Sequence, residues 1–338
     1  MASGPLTMKY AATNQEIVIS RAGYSLPSTI AMPASDSPAP CIVFFAGSGP
    51  TDRDWMSPLL PGSNGSGAQL AVALQERGVG SIRFDKVGSG INMPRSADPA
   101  DLAMLDVLSL DHYVDEALGA FDEVAAREGC GQVFLLGHSE GSIHALSAAS
   151  QKQADPRFGG VISLSGPSRS LLDTAIEQIR AIRLTAAADP AIVDARLGEF
   201  REAMLSPEAA APDLSSIPEA AVLWQATHAP AQQTVARELM LADPLSGLPA
   251  YRGRALVVSA ANDAQVPESD GDRIFAALGS SPTDKSRATI PDANHVYKSE
   301  PRAPATLRPE EIVAGYADEG HGLAPGIVDV IADFVAKR

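Results

Sequence analysis

The sequence alternates between short apolar runs and longer stretches with helical periodicity, and this alternation restricts the fold more than any other feature. Continuous apolar runs such as "CIVFFAG" (41–47) are typical of strands that are buried on both faces. Strands that alternate with helices predict an α/β fold, in which helices flank a mostly parallel central sheet. The other predicted strands, the first two of them an antiparallel pair, are 16–20, 28–33, 80–85, 132–137, 160–166, 255–260 and 287–292.

The alternation stops between positions 168 and 250, where Ala-, Leu- and Pro-rich sequence indicates helices and loops. The stretch 171–184 carries an apolar stripe at helical spacing. A helical block inside an alternating pattern predicts an inserted cap over 168–250, on a core formed by 1–167 and 251–338. Core helices are predicted at 68–78, 110–129, 142–151, 271–279 and 326–338.

Composition excludes several classes of partner. The chain has 338 residues and a formal net charge of -15, without the Lys/Arg cluster that a nucleic-acid partner would require. The first sixteen residues hold no apolar run typical of a signal peptide, and no run is long enough to span a membrane. We therefore expect a cytoplasmic protein with no membrane or nucleic-acid partner, and leave open whether it forms a homo-oligomer.

The cysteine and histidine content argues against a disulfide framework and a metal site. Cys41 and Cys130 each precede or begin a predicted strand, and two cysteines are too few for a disulfide-based fold. We expect both to be buried thiols. The six histidines are scattered, without the spacings of a metal site, so no metal or other cofactor is expected.

The stretch "LLGHSEGS" (135–142) places Ser139 between Gly137 and Gly141, where a predicted strand ends and a helix begins. A G-x-S-x-G pattern at such a junction is typical of a nucleophile elbow. The turn is tight, so small residues are needed two positions to either side of the serine. The serine then lies beside a helix N-terminus, which favours a developing anion. We expect Ser139 to be a catalytic nucleophile, the alternative being a plain strand-to-helix turn.

A serine nucleophile needs a base, usually a histidine that is held by a carboxylate. Four histidines follow Ser139. His144 falls in the next predicted helix, where a structural role is expected, and His228 falls in the cap, ahead of the expected acid. His295 follows the last predicted strand, while His321 precedes the last helix. We expect His295 to be the base, with His321 as the alternative.

The acid is expected between the serine and the histidine in the chain. Asp263 fits best, because it lies just past the predicted strand 255–260 in a turn that is closed by Pro267. A carboxylate there can reach a histidine on the neighbouring loop. Rival carboxylates, for which solvated loop or helix-cap positions are expected, are Glu268, Asp270 and Asp292.

Acyl transfer also needs N–H donors that point at the oxyanion of the tetrahedral intermediate. One is expected from the backbone of Glu140, directly after the nucleophile. The other is expected from loop 46–55, whose small residues allow the backbone to approach a substrate. Ser48 is the expected donor in this loop, with Gly47 or Gly49 as alternatives.

Two charged segments near this loop are expected to be structural. The run Asp52, Arg53 and Asp54 is expected to form ion pairs that brace the loop, with substrate contact as the alternative. In the turn after strand 80–85, Asp85 and Lys86 are expected to pair with each other.

Three residues are expected to bind substrate. Gly49 and Trp55 belong to the loop that carries the oxyanion donor, and Trp224 belongs to the cap. For Trp224, packing in the interior of the cap is the alternative.

Four ordered motifs resemble the α/β-hydrolase superfamily, and within it a bacterial esterase-like branch related to acyl-aminoacyl peptidases and serine aminopeptidases. They are "GSGPTDRDWM" (47–56), "RFDKVGSGIN" (83–92), "GHSEGS" (137–142) and "NHVYK" (294–298). The branch typically shows GSGPTDRDGN, RYDKRGxGxS, GHSEGG and NHxxK at these places. The resemblance supports Asp263 and His295 over their rivals. This chain departs from the branch at Trp55-Met56, Val87 and Ser142, none of which removes a catalytic group.

Residues and resemblance together predict a serine hydrolase that cleaves small-molecule carboxylic esters through an acyl-enzyme, without a cofactor. The alternatives are an amide or peptide hydrolase of aminopeptidase type, an acyltransferase, and a non-enzymatic binding protein on the same scaffold. An aminopeptidase would need carboxylates for a substrate ammonium group. The cap offers Glu177, Asp194 and Glu199, which a solvated helix face explains equally well.

Overall fold

The computed structural model describes residues 9–60, 62–96, 98–106, 108–206, 208–228, 233–279, 284–317 and 320–337. The strands in these ranges are β1 Thr13–Arg21, β2 Tyr24–Met32, β3 Ala39–Phe45, β4 Gly80–Phe84, β5 Cys130–His138, β6 Phe158–Leu164, β7 Ala255–Ala260 and β8 Lys285–Ile290. They form one sheet with the order β1-β2-β4-β3-β5-β6-β7-β8. The pairs β1–β2 and β2–β4 are antiparallel, and every later pair is parallel. The mostly parallel sheet predicted from the sequence is confirmed.

Helices fill the connections between the parallel strands and also follow the last strand, β8. They are α1 Ser66–Glu76, α2 Pro99–Leu102, α3 Leu110–Ala125, α4 Gly141–Lys152, α5 Leu171–Thr185, α6 Pro190–Leu205, α7 Pro218–Thr227, α8 Gln233–Leu241, α9 Glu268–Ala277, α10 Pro309–Ala317 and α11 Ile327–Ala336. Short 3-10 turns lie at Gly90–Asn92, Ala103–Leu105, Leu248–Ala250 and Pro304–Thr306. Helix α10 was not predicted, because its few apolar residues make no clear stripe.

The core consists of two apolar layers, one on each face of the sheet. One layer packs α3, α4 and α9 against the strands, with Phe121 and Ile274 among its buried side chains. The other packs α1 and α11 against the opposite face, with Leu70 and Ile331 among its members. Because both faces are covered, the central strands are mostly apolar, as their sequences indicate.

The segment between β6 and β7 carries α5 to α8 and has an apolar cluster of its own, which includes Phe200 and Ile217. Its first residues are held to the core by a buried carboxylate. Asp270, at the start of α9, accepts hydrogen bonds from Ser168 N at 2.8 Å and from Arg169 Nη2 at 2.8 Å. These contacts fit the predicted cap over 168–250, whose boundaries remain a prediction.

The two cysteines are the clearest departure from expectation. Cys41 and Cys130 form a disulfide, with their Cα atoms 5.9 Å apart, and are not free thiols. The reason is that β3 and β5 are neighbours in the sheet although 89 positions separate the cysteines in the chain. Adjacent strands bring Cα atoms within the usual disulfide range, which spacing in a sequence does not reveal.

Within the described ranges, every helix is too short or too polar to cross a lipid bilayer.

Candidate active site

Ser139 occupies the turn between β5 and α4 in a strained backbone conformation, with a φ of 54°. Its N–H donates to Leu164 O at 2.9 Å, and its own carbonyl accepts from Ser142 N at 2.9 Å. A positive φ is uncommon for a residue with a side chain, and such strain is concentrated at functional sites. This is the strand–turn–helix geometry that the sequence predicts.

The two flanking glycines are required by close backbone contacts. A Cβ on Gly137 would lie 2.1 Å from Gly141 O, and a Cβ on Gly141 would lie 2.6 Å from Ala46 O. No side chain fits at either distance. Ser142, where the resembling branch has glycine, uses its hydroxyl to donate to Gly137 O at 2.7 Å and so closes the turn further.

Asp263 and His295 meet at the carboxyl edge of the sheet. Asp263 follows β7 and His295 follows β8, and His295 Nδ1 lies 3.0 and 2.9 Å from the two carboxylate oxygens. Asp263 also accepts hydrogen bonds from the backbone N–H groups of Gln265 at 2.8 Å and Val266 at 2.9 Å. The side chains of Asp263 and His295 are 1% and 4% exposed, respectively.

The carboxylate of Asp263 stays ionised despite this burial. Burial would raise its pKa, but the charge of His295 and the hydrogen bonds from His295, Val266 and Gln265 outweigh burial and lower the pKa below its ordinary value. An ionised Asp263 holds the proton of His295 on Nδ1, so that Nε2 is left as the acceptor.

The rival carboxylates have surroundings that differ from those of Asp263. Glu268 accepts from Thr289 and from Arg287 Nη2, the latter at 2.9 Å. Asp270 anchors the start of the helical insertion, as described above. Asp292 is exposed, and its backbone carbonyl accepts from Glu300 N at 2.6 Å.

The other histidines lie in different surroundings. His144 is buried on α4 with Nε2 3.3 Å from Glu140 Oε1, which fits the structural role expected for it. His228 stacks on Trp224 in the helical insertion. His321 lines a surface cleft with Arg302 and other residues.

Loop 46–55, which carries the expected oxyanion donor Ser48, lies against Ser139. A Cβ on Gly47 would be only 3.4 Å from Ser139 Cβ. Ser48 and Gly49 follow and are exposed. Glu140 directly follows Ser139 and is the N-cap residue of α4, so its backbone N–H lies at the N-terminus of this helix. Ser48 is thus the residue after the one that contacts Ser139, and Glu140 is the residue after Ser139 itself.

Ion pairs brace this loop from the neighbouring strand β4, as expected for its charged run. Arg53 donates to Asp85 through its backbone N–H and its guanidinium, both at 2.9 Å. Arg83 pairs with Asp54 at 3.0 Å. The expected ion pair between Asp85 and Lys86 is wrong, because the carboxylate of Asp85 binds Arg53 instead.

The side chain of Lys86 points away from Asp85 and contacts loop 46–55. Its Nζ donates to Gly47 O at 2.5 Å and lies 3.8 Å from Glu140 Oε1. Burial would raise the pKa of Glu140, but the charge of Lys86 and the hydrogen bond with His144 lower it below its ordinary value. Sequence reasoning missed this contact, since no pattern shows which way a lysine in a turn points.

Trp55 does not lie where a substrate could contact it. Its side chain is 2% exposed and stacks on His138 with ring centroids 4.4 Å apart. A Cβ on Gly67 would lie 2.8 Å from its ring, so the indole is enclosed from that side too. The expectation of substrate contact is corrected: the apolar ring is buried beneath the loop and supports it.

Trp224 also packs against protein. Its ring stacks on His228 with centroids 3.7 Å apart and meets Phe200 edge-on at 6.4 Å. These contacts belong to the apolar interior of the helical insertion. They favour packing over the substrate contact predicted for Trp224. Gly49 is exposed beside Ser48, and substrate binding by it remains a prediction.

His138 is a site residue that sequence reasoning missed. Its Nε2 donates to the backbone carbonyl of His295 at 2.8 Å. The ring of His138 is neutral, because burial, with a smaller contribution from the charge of His295, lowers its pKa to about 3. Trp55 stacks on one face of the His138 ring. His138 thereby connects the turn at Ser139, the loop that carries His295 and loop 46–55. Its place directly before Ser139 was the only available signal.

The "NHVYK" motif builds the loop that carries His295. Asn294 Oδ1 accepts from the N–H groups of Val296 at 3.1 Å and Lys298 at 3.0 Å. Tyr297 is fully buried, with a φ of 61°, and donates to Val258 O at 2.8 Å. These bonds fix the backbone on both sides of the histidine.

Among the described residues, no three His, Cys, Asp or Glu side chains are grouped as a metal ion would need.

Comparison with known proteins places the fold in a family. A family model described as "Alpha/beta hydrolase family" matches residues 42–314, which is most of the chain. The chain belongs to the alpha/beta hydrolase family. This confirms the family expected from the four motifs.

Among relatives of this chain, esterase EstD of Thermotoga maritima is 27% identical over 155 residues, which are 46% of this chain and 34% of that esterase. The match therefore spans about a third of the relative's length. Est1E from Butyrivibrio proteoclasticus has a similar structure, with a TM-score of 0.53, 15% identity and coverage of 95% of this chain and 99% of its own. The acylaminoacyl peptidase of Pyrococcus horikoshii has a TM-score of 0.51 at 15% identity, over 91% of this chain and 40% of its own. At these identities the two structural likenesses concern the fold alone.

Proposed function

We propose that this chain is a serine hydrolase that cleaves carboxylic esters through an acyl-enzyme. The observation that carries the proposal is the buried Asp263–His295 pair, at the same edge of the sheet as the strained Ser139. A nucleophile, a base and an acid on three separate loops make up the machinery that acyl transfer needs. The partial match to an esterase supports the ester as substrate.

In the first step Ser139 Oγ attacks the ester carbonyl carbon, while His295 Nε2 takes the hydroxyl proton. Asp263 stabilises the resulting imidazolium and keeps its Nδ1 oriented. The tetrahedral intermediate then expels the alcohol, to which His295 returns the proton. A water molecule, activated by His295, attacks the acyl-enzyme and releases the acid.

The negative oxygen of each tetrahedral intermediate is held by the backbone N–H groups of Ser48 and Glu140. Glu140 lies at the N-terminus of α4, where the helix dipole favours an anion. The loop around Gly47 is already in place against Ser139, so the donors are preorganised, which is the main source of such stabilisation.

The carboxylates of the helical insertion favour an ester over an N-terminal peptide as the substrate. Glu177 pairs with Arg169, Asp194 with Arg180 Nε at 2.6 Å, and Glu199 with Arg196 Nη1 at 2.8 Å. Each of these three carboxylates thus already has an arginine partner. The role of cap 168–250 is then to shape the acyl pocket and to exclude water.

The test is hydrolysis of p-nitrophenyl esters from acetate to laurate, measured with wild type and Ser139→Ala. We expect turnover that Ser139→Ala lowers by at least about a thousandfold. The control is Ser150→Ala, at the far end of α4, whose hydroxyl donates to Leu146 O within the helix. Ester turnover that survives in Ser139→Ala would refute the proposal, and faster turnover of aminoacyl p-nitroanilides than of esters would assign the triad to amide hydrolysis.

A further inference from the structure

Lys86 is a buried cation directly behind the proposed oxyanion hole. The residue is 6% exposed, and it follows β4 by two positions. Its Nζ lies 2.5 Å from Gly47 O, 3.8 Å from Glu140 Oε1 and 5.5 Å from the centre of the Tyr113 ring. Burial of an ammonium group costs free energy of desolvation unless hydrogen bonds and opposite charges compensate it. The contacts of Lys86 therefore indicate what its burial achieves.

The hydrogen bond to Gly47 reaches a proposed donor through one peptide group. The carbonyl of Gly47 and the N–H of Ser48 belong to the same amide. A cation that donates to the oxygen of an amide draws electron density toward that oxygen and makes the N–H more acidic. Hydrogen bonds in a chain strengthen one another in this way, and burial increases the effect. The same bond fixes the direction in which the Ser48 N–H points.

The second contact reaches the other proposed donor. Glu140 supplies its backbone N–H to the oxyanion, and its side chain is the carboxylate nearest to Lys86. His144 Nε2 lies 3.3 Å from the same carboxylate oxygen, so Lys86 is not its only partner. The other buried carboxylate of this region, Glu116, is held by Val87 N at 2.9 Å and lies 3.0 Å from His112. The strong donation of Lys86 is to the Gly47 carbonyl.

We propose that Lys86 is a positioning residue of the oxyanion hole, which polarises and orients the Gly47–Ser48 peptide so that the Ser48 N–H binds the oxyanion more strongly. This inference rests on the proposed function. Lys86 does not touch the substrate, and its effect is expected on the tetrahedral state rather than on ester binding. A role limited to neutralising Glu140 makes a different prediction, which the test separates.

The test compares Lys86→Met, which keeps the apolar stem, with Lys86→Arg, which keeps a charged donor. For a p-nitrophenyl ester we expect Lys86→Met to lower kcat about 10- to 100-fold and to change KM less than about threefold. This loss of kcat is somewhat smaller than the loss caused by removal of a whole oxyanion donor. Affinity for an alkylboronic acid, whose boron accepts the Ser139 oxygen to form a tetrahedral anion, should fall by a similar factor. Lys86→Arg should restore most of both.

The double variant Lys86→Met/Glu140→Gln removes both charges, and it keeps the test decisive if Lys86→Met alone fails to fold. The proposal expects the double variant to be about 10- to 100-fold slower than wild type, which is the loss expected for Lys86→Met itself. Recovery of kcat and boronate affinity in the double variant would overturn the proposal, since Lys86 would then serve only to neutralise Glu140. The matched control is Lys152→Met, which also loses a carboxylate partner, Asp122 at 2.6 Å, and an aromatic contact, but far from the site.

The outcomes separate this inference from the proposed function. Wild type without Ser139-dependent ester hydrolysis and without a boronate adduct would refute the proposed function. Wild type with both, but with an unimpaired Lys86→Met, would refute only the role of Lys86.

Discussion

Burial decides what single side chains can do in this site. Asp263 is enclosed, yet two backbone N–H groups and His295 hold its negative charge. The same carboxyl group on a solvated loop would be screened by water and would orient a histidine poorly. Asp292, which the sequence offers as a rival, is in that exposed situation.

We expect Asp263→Asn to lower kcat for a p-nitrophenyl ester at neutral pH by about a thousandfold to ten-thousandfold. An amide cannot hold the proton on His295 Nδ1 or stabilise the imidazolium. The control is Asp292→Asn, which changes the same groups at an exposed position whose φ of 52° asparagine tolerates. Similar losses in both variants would contradict the assignment of Asp263.

His138 makes the fold sensitive to acid. Its pKa is about 3 in the folded chain because the ring is buried, against an ordinary value of 6.5. Between these values the unfolded chain binds a proton at this residue and the folded chain does not. Stability therefore falls as the pH drops through this window, by up to about 1.4 kcal/mol per pH unit.

Replacement of His138 by glutamine tests this linkage. Glutamine can still donate to His295 O but cannot titrate. We expect wild type to lose more of its Tm than His138→Gln between pH 7 and pH 4.5, as measured by thermal unfolding in matched buffers. Equal losses would show that His138 is not the acid-sensitive group.

Among the elements, the turn between β5 and α4 is the most tightly packed part of the site. Its glycines allow the backbones of β3, β5 and α4 to approach closely, and Ser139 is held in its strained conformation by the bonds on both sides. Backbone strain of this kind persists only where the surroundings impose it.

Two glycine-to-alanine substitutions should therefore have opposite effects on the free energy of unfolding. Gly137→Ala places a Cβ 2.1 Å from Gly141 O and should destabilise the protein by more than about 3 kcal/mol or prevent folding. Gly198→Ala, in α6 with no atom within 4 Å of the new Cβ, should stabilise by about 0.5–1 kcal/mol. Urea unfolding measures both, and a stable Gly137→Ala would mean that the turn is looser than described.

The arrangement of the sheet explains why distant parts of the chain meet at one site. The strands β3, β5, β7 and β8 are parallel, so their carboxyl ends lie at the same edge. The loops that follow them carry the proposed oxyanion donor Ser48, nucleophile Ser139, acid Asp263 and base His295. Open α/β sheets bind ligands at this edge for the same reason.

The disulfide also joins distant parts of the chain, and it can be tested on the intact protein. Alkylation with iodoacetamide after denaturation without reductant should leave Cys41 and Cys130 unlabelled, and prior reduction should add two labels, as read by mass spectrometry. Two labels without reductant would contradict the pairing. Because disulfides are rare in a reducing cytosol, the result also bears on the predicted cytoplasmic location.

The sequence was sufficient for the features that depend on local pattern. Strand–helix alternation predicted the parallel sheet, because alternating strands and helices bury their apolar faces when the helices pack in layers on the two faces of one sheet. The G-x-S-x-G turn predicted the position of Ser139, because only glycine tolerates the contacts beside it. Asp263 and His295 could be selected because each lies in the loop after a predicted strand, and because the resemblance to the hydrolase branch supports them over their rivals.

Contacts between segments that are far apart in the chain could not be predicted. The pairing of Cys41 with Cys130, the burial of Trp55 and the reach of Lys86 to Gly47 each depend on which strands are neighbours and which way a side chain points. Composition and spacing carry no information on either. Sequence pattern therefore specified the layers and the positions of the chemical groups, whereas the packing of those layers set the distances and the burial on which their chemistry depends.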